Sequence, residues 1–344
     1  MNWTAGLSQD DHNLYASILD VRATPESKAL AEGFLSGLTL LNQSADLVVG
    51  KGIANAVGVV EDAVEGAKTG YGSTAFSAIS GGWSRYNVGS HTDVSGISLM
   101  AGLAWGQDRL TLGAFFEYGN GSYDTYNSFA NAASVRGDGT INHVGGGVFG
   151  RMDFRHTGPG RFYAEAAGRV GDVRNKYQNG DFRDAVGRCA SYVTSSVYYG
   201  TYAGLGYLWN INGKASLDLH GNYFWTRQNG KSITLLAGDP VTFGSVNSHR
   251  LRVGTRFSYT ISKYISPYAG IAFEHEFDGK ARAFTNGLLI DAPTLRGNTG
   301  NGELGIVVKP NPGSRVPVTI DLGVQGYVGK REGVTGALRV GLAF

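Results

Sequence analysis

From Tyr71 to Phe344 apolar and polar residues alternate with a period of two. That spacing puts one set of side chains on each face of a β-strand. It predicts twelve strands, near 73–86, 94–105, 109–119, 140–152, 161–174, 192–209, 214–227, 247–261, 264–277, 302–309, 315–328 and 333–344. Near 94–105, Ile97, Leu99, Ala101, Leu103 and Trp105 share a face opposite Gly96, Ser98, Gly102 and Ala104. Near 109–119, Leu110, Leu112, Ala114, Phe116 and Tyr118 oppose Arg109, Thr111, Gly113 and Glu117. Near 247–261, Leu251, Val253, Thr255, Phe257, Tyr259 and Ile261 oppose Arg250, Arg252 and Arg256. The last segment sets Leu338, Val340, Leu342 and Phe344 against Arg339, Gly341 and Ala343. A chain that ends inside such an alternation needs its last strand paired at both edges, and closing the sheet into a barrel provides that.

Before Tyr71 the period is helical. Residues 1–23 carry no clear pattern. Thr24-Pro25-Glu26 is a helix start, with a capping hydroxyl, Pro at the first helical position and acid in the first turn. Leu30, Phe34, Leu38 and Leu41 then fall on one face, and Asn42-Gln43-Ser44 predicts a break. A second helix follows over 45–66, interrupted by Gly50, Gly52 and Gly58. Each glycine costs about 1 kcal/mol against Ala, so this helix needs something wrapped around it. At about 1.5 Å per residue it is roughly 33 Å long, close to the thickness of a bilayer.

The apolar strand faces carry aromatics at strand ends, Trp105, Tyr118, Trp209, Trp225 and Tyr259, a placement that suits interfacial girdles. The opposite faces carry Glu117, Glu165, Arg169, Asp218, Arg250, Arg252, Arg256, Glu274, Glu276, Glu303, Asp321 and Arg339. In a soluble barrel or sandwich these charges would face water. In a membrane barrel they would face a wet lumen. The connections decide. Turns after the second, sixth and eighth strands are very short, and those after the fourth and tenth are modest and rich in Gly and Pro. Connections near 120–139, 175–191, 228–246 and 278–301 are long. All the long ones then lie on one side, as in outer-membrane barrels, which have short periplasmic turns and long extracellular loops. An even strand count leaves the C-terminus periplasmic.

Composition narrows the picture further. Among 344 residues, Gly reaches 53 with no collagen period, Tyr 18 and Phe 16, as many short-turned strands require. A net charge of +2 singles out no nucleic acid. The mean hydropathy of −0.14 and the lack of any 18-residue uncharged apolar run exclude a helical membrane protein but not a barrel, whose strands are half polar. The single Cys189 excludes an internal disulfide. The N-terminus has no signal-peptide pattern; if the protein is exported to a membrane, the chain is then a fragment of something longer.

The segments LNQSADLVVGKGIANAVGVVEDAV, AFSAISGGWSRYNVGSHTDVSGISLMAGLAWG, FYAEAAGRVGDV, SLDLHGNYFWTRQ and LRVGLAF resemble the translocator β-domain of monomeric autotransporters, the type V secretion family. The resemblance runs from about Pro25 to Phe344. It implies an all-β fold, a twelve-stranded antiparallel transmembrane β-barrel with an N-terminal α-helix in the lumen. Residues 1–44 would be a linker or the end of a passenger region with a possible helix, 45–68 the pore helix, and 69–344 the barrel. It implies a Gram-negative outer-membrane location, a monomer, insertion by the β-barrel assembly machinery, and export of the upstream passenger to the cell surface. Leu338, Val340, Leu342 and Phe344 would be the C-terminal assembly signal. Inward glycines (Gly96, Gly102, Gly113, Gly204, Gly206, Gly254 and Gly270) would leave the helix room. No long β-helical passenger is present. Some family members cut themselves at an Asn-Asn junction in the pore helix; here that junction is absent, and Asn55, before Ala56, reads as an ordinary polar helix position or as the candidate cleavage position.

Other chemistry is sparse. The basic ladder Arg250, Arg252 and Arg256 reads either as an anion-selective lining or partners of the helix acids Glu61, Asp62 and Glu65, or as wall pairs with Glu274 and Glu276. The seven histidines show no ligand spacing, so no metal or other cofactor is expected. His91 with Asp93 is the nearest local acid–His pair, in a surface turn. No G-x-S-x-G, HExxH or P-loop occurs, so no enzyme is expected. The alternative function is a general outer-membrane porin, which has no use for a membrane-length helical plug.

Overall fold

A computed structural model of the chain describes residues 2–344 except 11–12, 49–51, 68–70, 108, 184–185, 313 and 315. The N-terminal segment, which carries no clear pattern in sequence, contains two paired antiparallel strands, β1 (Asn2–Gln9) and β2 (Leu14–Arg22). A 3-10 turn at Pro25–Ser27 then opens α1 (Lys28–Leu47). Thr24 contributes its carbonyl, which accepts from the Ser27 amide at 3.0 Å and hydroxyl at 2.5 Å, and its own hydroxyl caps nothing. The predicted break at Asn42-Gln43-Ser44 does not occur, and the expected 44/45 boundary falls inside α1. These polar residues stay helical because the wall supplies partners: Asn42 donates to Ser248 at 3.1 Å and Ser44 to Glu117 at 2.7 Å. α1 ends instead before Gly50 and Gly52, and α2 (Ile53–Ala67) follows.

The sheet elements are β3 (Tyr71–Asn87), β4 (His91–Gln107), β5 (Leu110–Asn127), β6 (Val135–Thr157), β7 (Gly160–Arg183), β8 (Cys189–Asn210), β9 (Ala215–Gln228), β10 (Lys231–Thr234), β11 (Pro240–Phe243), β12 (Val246–Tyr259), β13 (Ile265–Glu276), β14 (Ala283–Thr285), β15 (Leu288–Ile290), β16 (Gly297–Val308), β17 (Val318–Gly329) and β18 (Arg331–Ala343). Twelve of them close into an antiparallel barrel, with β18 paired to β3 in the register Leu338↔Ile79. Phe344 completes the seam: its amide donates to the Ser73 carbonyl at 3.0 Å, and its carbonyl accepts from the Ser73 hydroxyl at 2.8 Å.

The long connections are shorter than expected. β5 and β6 extend to Asn127 and from Val135, and β7 and β8 to Arg183 and from Cys189, so most of 120–139 and 175–191 is strand. The other two fold into a separate sheet in the order β10-β11-β14-β15. Two loops at the same end are short, 88–90 and Lys330, so the length alternation is not strict. His91 and Asp93 lie on β4 rather than in a turn, and Asp93 takes both guanidinium donors of Arg85 at 2.7 Å.

Outward side chains form an apolar belt, with Ile97, Leu103, Phe116, Val253, Ile271 and Leu304 exposed. Tyr71, Trp105, Trp209 and Tyr259 mark its turn-side edge, and Trp83 stands toward the loops; Tyr118 sits mid-strand. From Tyr71 to Trp83 is about 40 Å along the strand at ~3.3 Å per residue, or about 30 Å along the axis for a tilt of about 40°.

Candidate functional site: an occupied lumen

Every residue of α1 from Ala29 to Leu47 is buried. At about 1.5 Å per residue α1 is roughly 30 Å long, and the barrel wall covers it along its length, with the loop sheet at its top. Its N-terminal end sits among the loops. Glu32, with no exposure, accepts from Ser90 at 2.7 Å and from Asn127, and pairs with Lys28 at 3.5 Å. Phe34 stacks on Phe243 of β11 with centroids 4.6 Å apart, so the small loop sheet closes over the top of the helix. α2 reaches the other end, where Glu61 takes Arg161 of β7 at 2.6 Å and Val59 packs on Ala343.

Helix and wall fit through small residues. A Cβ on Gly33 would lie 2.5 Å from the Tyr177 ring and 2.7 Å from the Tyr192 hydroxyl, and one on Gly37 would lie 2.8 Å from Gln228. The inward glycines act differently from the expectation. Of the seven, only Gly96 faces the helix, 3.1 Å from Leu40; a Cβ at Gly102, Gly113, Gly204, Gly206, Gly254 or Gly270 would strike neighbouring wall groups such as Phe76, Phe149, Tyr163 or Glu303. They let inward rings lie flat along the wall. Gly106, facing Val60, also serves the helix. Phe76, Met100, Phe115, Phe149 and Phe224 point inward and pack on the helical residues from Ala45 to Val60.

The wall also grips the helix backbone. Tyr192 donates to the Leu30 carbonyl at 2.8 Å, Asn175 to that of Gly33, Arg169 to that of Leu41 at 2.7 Å, and Arg250 to that of Asn42 at 3.3 Å.

One charge cluster ties α1 to three strands. Asp46 receives Arg250 at 2.8 Å, Arg252 at 2.7 Å and Arg331 at 2.9 Å. Glu274 shares Arg250 at 3.3 Å and Arg252 at 2.6 Å. Arg250 and Arg252 thus meet the expected wall acid Glu274, but the helix acid they meet is Asp46 and not Glu61, which pairs with Arg161 instead. Arg256 pairs with Glu303 at 2.6 Å, and Glu276 accepts from Ser248 and from the His249 amide at 2.8 Å. A second cluster centres on Glu117, fully buried, which takes Arg169 at 3.0 Å, Tyr198 at 2.7 Å and Ser44. Glu165 accepts from Tyr202 and lies 3.6 Å from Arg151. Asp218 accepts from Tyr163 at 2.9 Å, and Asp321 from Tyr268 at 2.8 Å and from Arg339. Sequence reasoning missed Glu32, Asp46, Arg151 and Arg331. The helical period could not mark the first two, because it shows one apolar face and not that every face of α1 is buried. The side chains of Asn55, Asp62 and Glu65, and His12, lie outside the described residues. Leu338, Leu342 and Phe344 are exposed on the outer face and Val340 is half-buried.

A polar cavity of about 60 Å³ remains beside the helices, lined in part by Asp46, Tyr163, Asp218, His220, Arg256 and Asn301. At roughly 10–15 Å³ per water centre, it has room for a few waters. Among the described residues no cluster of three metal-ligating side chains occurs.

A closed barrel with an apolar outer belt and a charged interior filled by helix is a transmembrane β-barrel with a plugged channel. The sequence matches the family described as Autotransporter beta-domain over residues 71–321, and the chain belongs to it. It is an outer-membrane translocator domain of a transport family, not of an enzyme family. Its fold is similar to that of the transport unit of the autotransporter AIDA-I from Escherichia coli, at 16% identity and a TM-score of 0.59, covering 93% of this chain and 99% of that one. The translocator domain of NalP from Neisseria meningitidis is similar at 13% identity and a TM-score of 0.57, covering 93% and 98%. The β-domain of the Bordetella autotransporter BrkA is similar at 13% and 0.52, covering 79% and 98%. No curated protein matches the sequence.

Proposed function

We propose that the barrel carries the polypeptide upstream of α1 through its lumen and then holds it at the cell surface, with the long loops outside and the short turns and C-terminus in the periplasm. The supporting observation is the direction of the threaded helix. Glu32 is held among the loops and Glu61 at the turn end, so the chain upstream of α1 leaves at the loop end. Residues 1–24 would then link passenger to plug, and β3 to β18 would be the anchor. A diffusion porin needs a wet channel, and here α1 and α2 fill the lumen.

In this reading the barrel works as a monomer. Leu338, Val340, Leu342 and Phe344 present the outward face that the assembly machinery reads. Surface display tests the whole scheme. A signal peptide and tagged reporter are fused ahead of residue 1, and intact Gram-negative cells are treated with protease. Loss of the tag while the barrel survives is the expected result. A tag digested only after the outer membrane is permeabilised would overturn the scheme. The same fusion reports whether a released product ends at Asn55.

A further inference from the structure

Three consecutive short turns carry Lys214, Lys263 and Lys309, and their sequences, 211–214, 260–264 and 309–317, hold not one carboxylate. Backbone bonds tie them into one patch: the Thr260 amide donates to the Lys214 carbonyl at 2.7 Å, and the Lys309 amide to the Tyr264 carbonyl at 2.8 Å. Lys214 and Lys263 are exposed, and the Lys263 ammonium lies 5.1 Å from the Tyr264 ring centre. At the loop end Arg85 and Lys28 instead face Asp93 and Glu32.

The outer wall above this patch is indented. A trough of about 510 Å³ crosses β9, β12, β13, β16 and β17 on the outward face, within the roughly 300–1,000 Å³ of ligand clefts. Its floor is made by Ala269, Gly302 and Gly326, and its flanks include Phe257, Ile271 and Leu304. Gly302 and Gly326 are paired in register, and a Cβ on either would meet nothing. Neither glycine makes room for a protein group, and glycine in a strand interior is destabilising.

We propose that trough and lysine patch together bind one anionic phospholipid, with its phosphate at Lys214 and Lys263 and an acyl chain in the trough. The spacing suits an amphiphile. Lys263 and Ala269 are about 20 Å apart along the strand at ~3.3 Å per residue. Lysines at the interface attract anionic headgroups, and the trough lies in the belt whose only solvent is hydrocarbon. The proposed periplasmic placement of the turns decides only which leaflet supplies the lipid.

Native mass spectrometry of the full chain, released from detergent after titration with phosphatidylglycerol, tests this. The chain is expected to retain one phosphatidylglycerol in preference to phosphatidylcholine. K214Q/K263Q lowers that retention at least tenfold, and Arg109→Gln, on another turn, leaves it unchanged. G302L/G326L, which fills the trough, weakens dioleoyl but not dihexanoyl phosphatidylglycerol. Folding of each variant is read independently by the heat-dependent gel mobility of the barrel. Equal retention of both lipids by the wild type, a folded K214Q/K263Q that keeps its lipid, or tighter binding of lipopolysaccharide would overturn the proposal. The measurement needs no passenger, so its outcome is separate from that of the display experiment.

Discussion

Asp46 is a single carboxylate facing three guanidinium groups. Breaking a buried ion pair by removing one partner costs about 3–5 kcal/mol, because the remaining charges stay buried and uncompensated. Asp46→Ala is therefore expected to loosen α1 and raise single-channel conductance in planar bilayers; a conductance equal to wild type would mean that shape alone holds the plug. The helix glycines divide in the same way. Gly33→Leu must displace Tyr177 or Tyr192, and amide exchange across 28–47 should speed up. A Cβ on Gly58 meets nothing, so Gly58→Ala should be neutral or stabilise α2 by up to about 1 kcal/mol. Asp46 was not legible in the sequence because one acid in a helix usually marks a solvated face. Nor were the inward Phe115 and Phe224, which break the polar character expected of a lumen. They make sense only once a helix stands opposite.

Among the elements, the twelve barrel strands were legible because one face of each must meet lipid, which enforces the two-residue period over the belt. Beyond the belt that pressure ends. The outer parts of β5, such as Asn120, Ser122 and Asp124, are polar on the outward face, so they read as loop although their ladder to β6 continues. β14 and β15 are too short for a period to show. They exist because the loop sheet buries Val241, Phe243, Ala283 and Ile290 against the top of α1. The helix pair is the element on which transport turns. Removing residues 1–66 should raise ion conductance sharply, whereas an unchanged trace would place the segment outside the lumen.

For the whole molecule, closure and threading together define an axis with two unlike ends. Orientation can be read by cysteine labelling in a Cys189→Ser background. Leu236 is 67% exposed at the loop end and Ile211 47% exposed at a short turn. A membrane-impermeant maleimide added to intact cells should label Leu236→Cys and spare Ile211→Cys, and the reverse pattern would invert the proposed topology. The four wall groups that bond the carbonyls of Leu30, Gly33, Leu41 and Asn42 carry a further consequence. A carbonyl is common to every residue, so these contacts recognise coiled backbone and are blind to what the side chains spell. The barrel is thus a socket with few keyed positions, Gly33, Gly37 and Asp46 among them. Foreign helices that keep those few should seat in it as interchangeable parts.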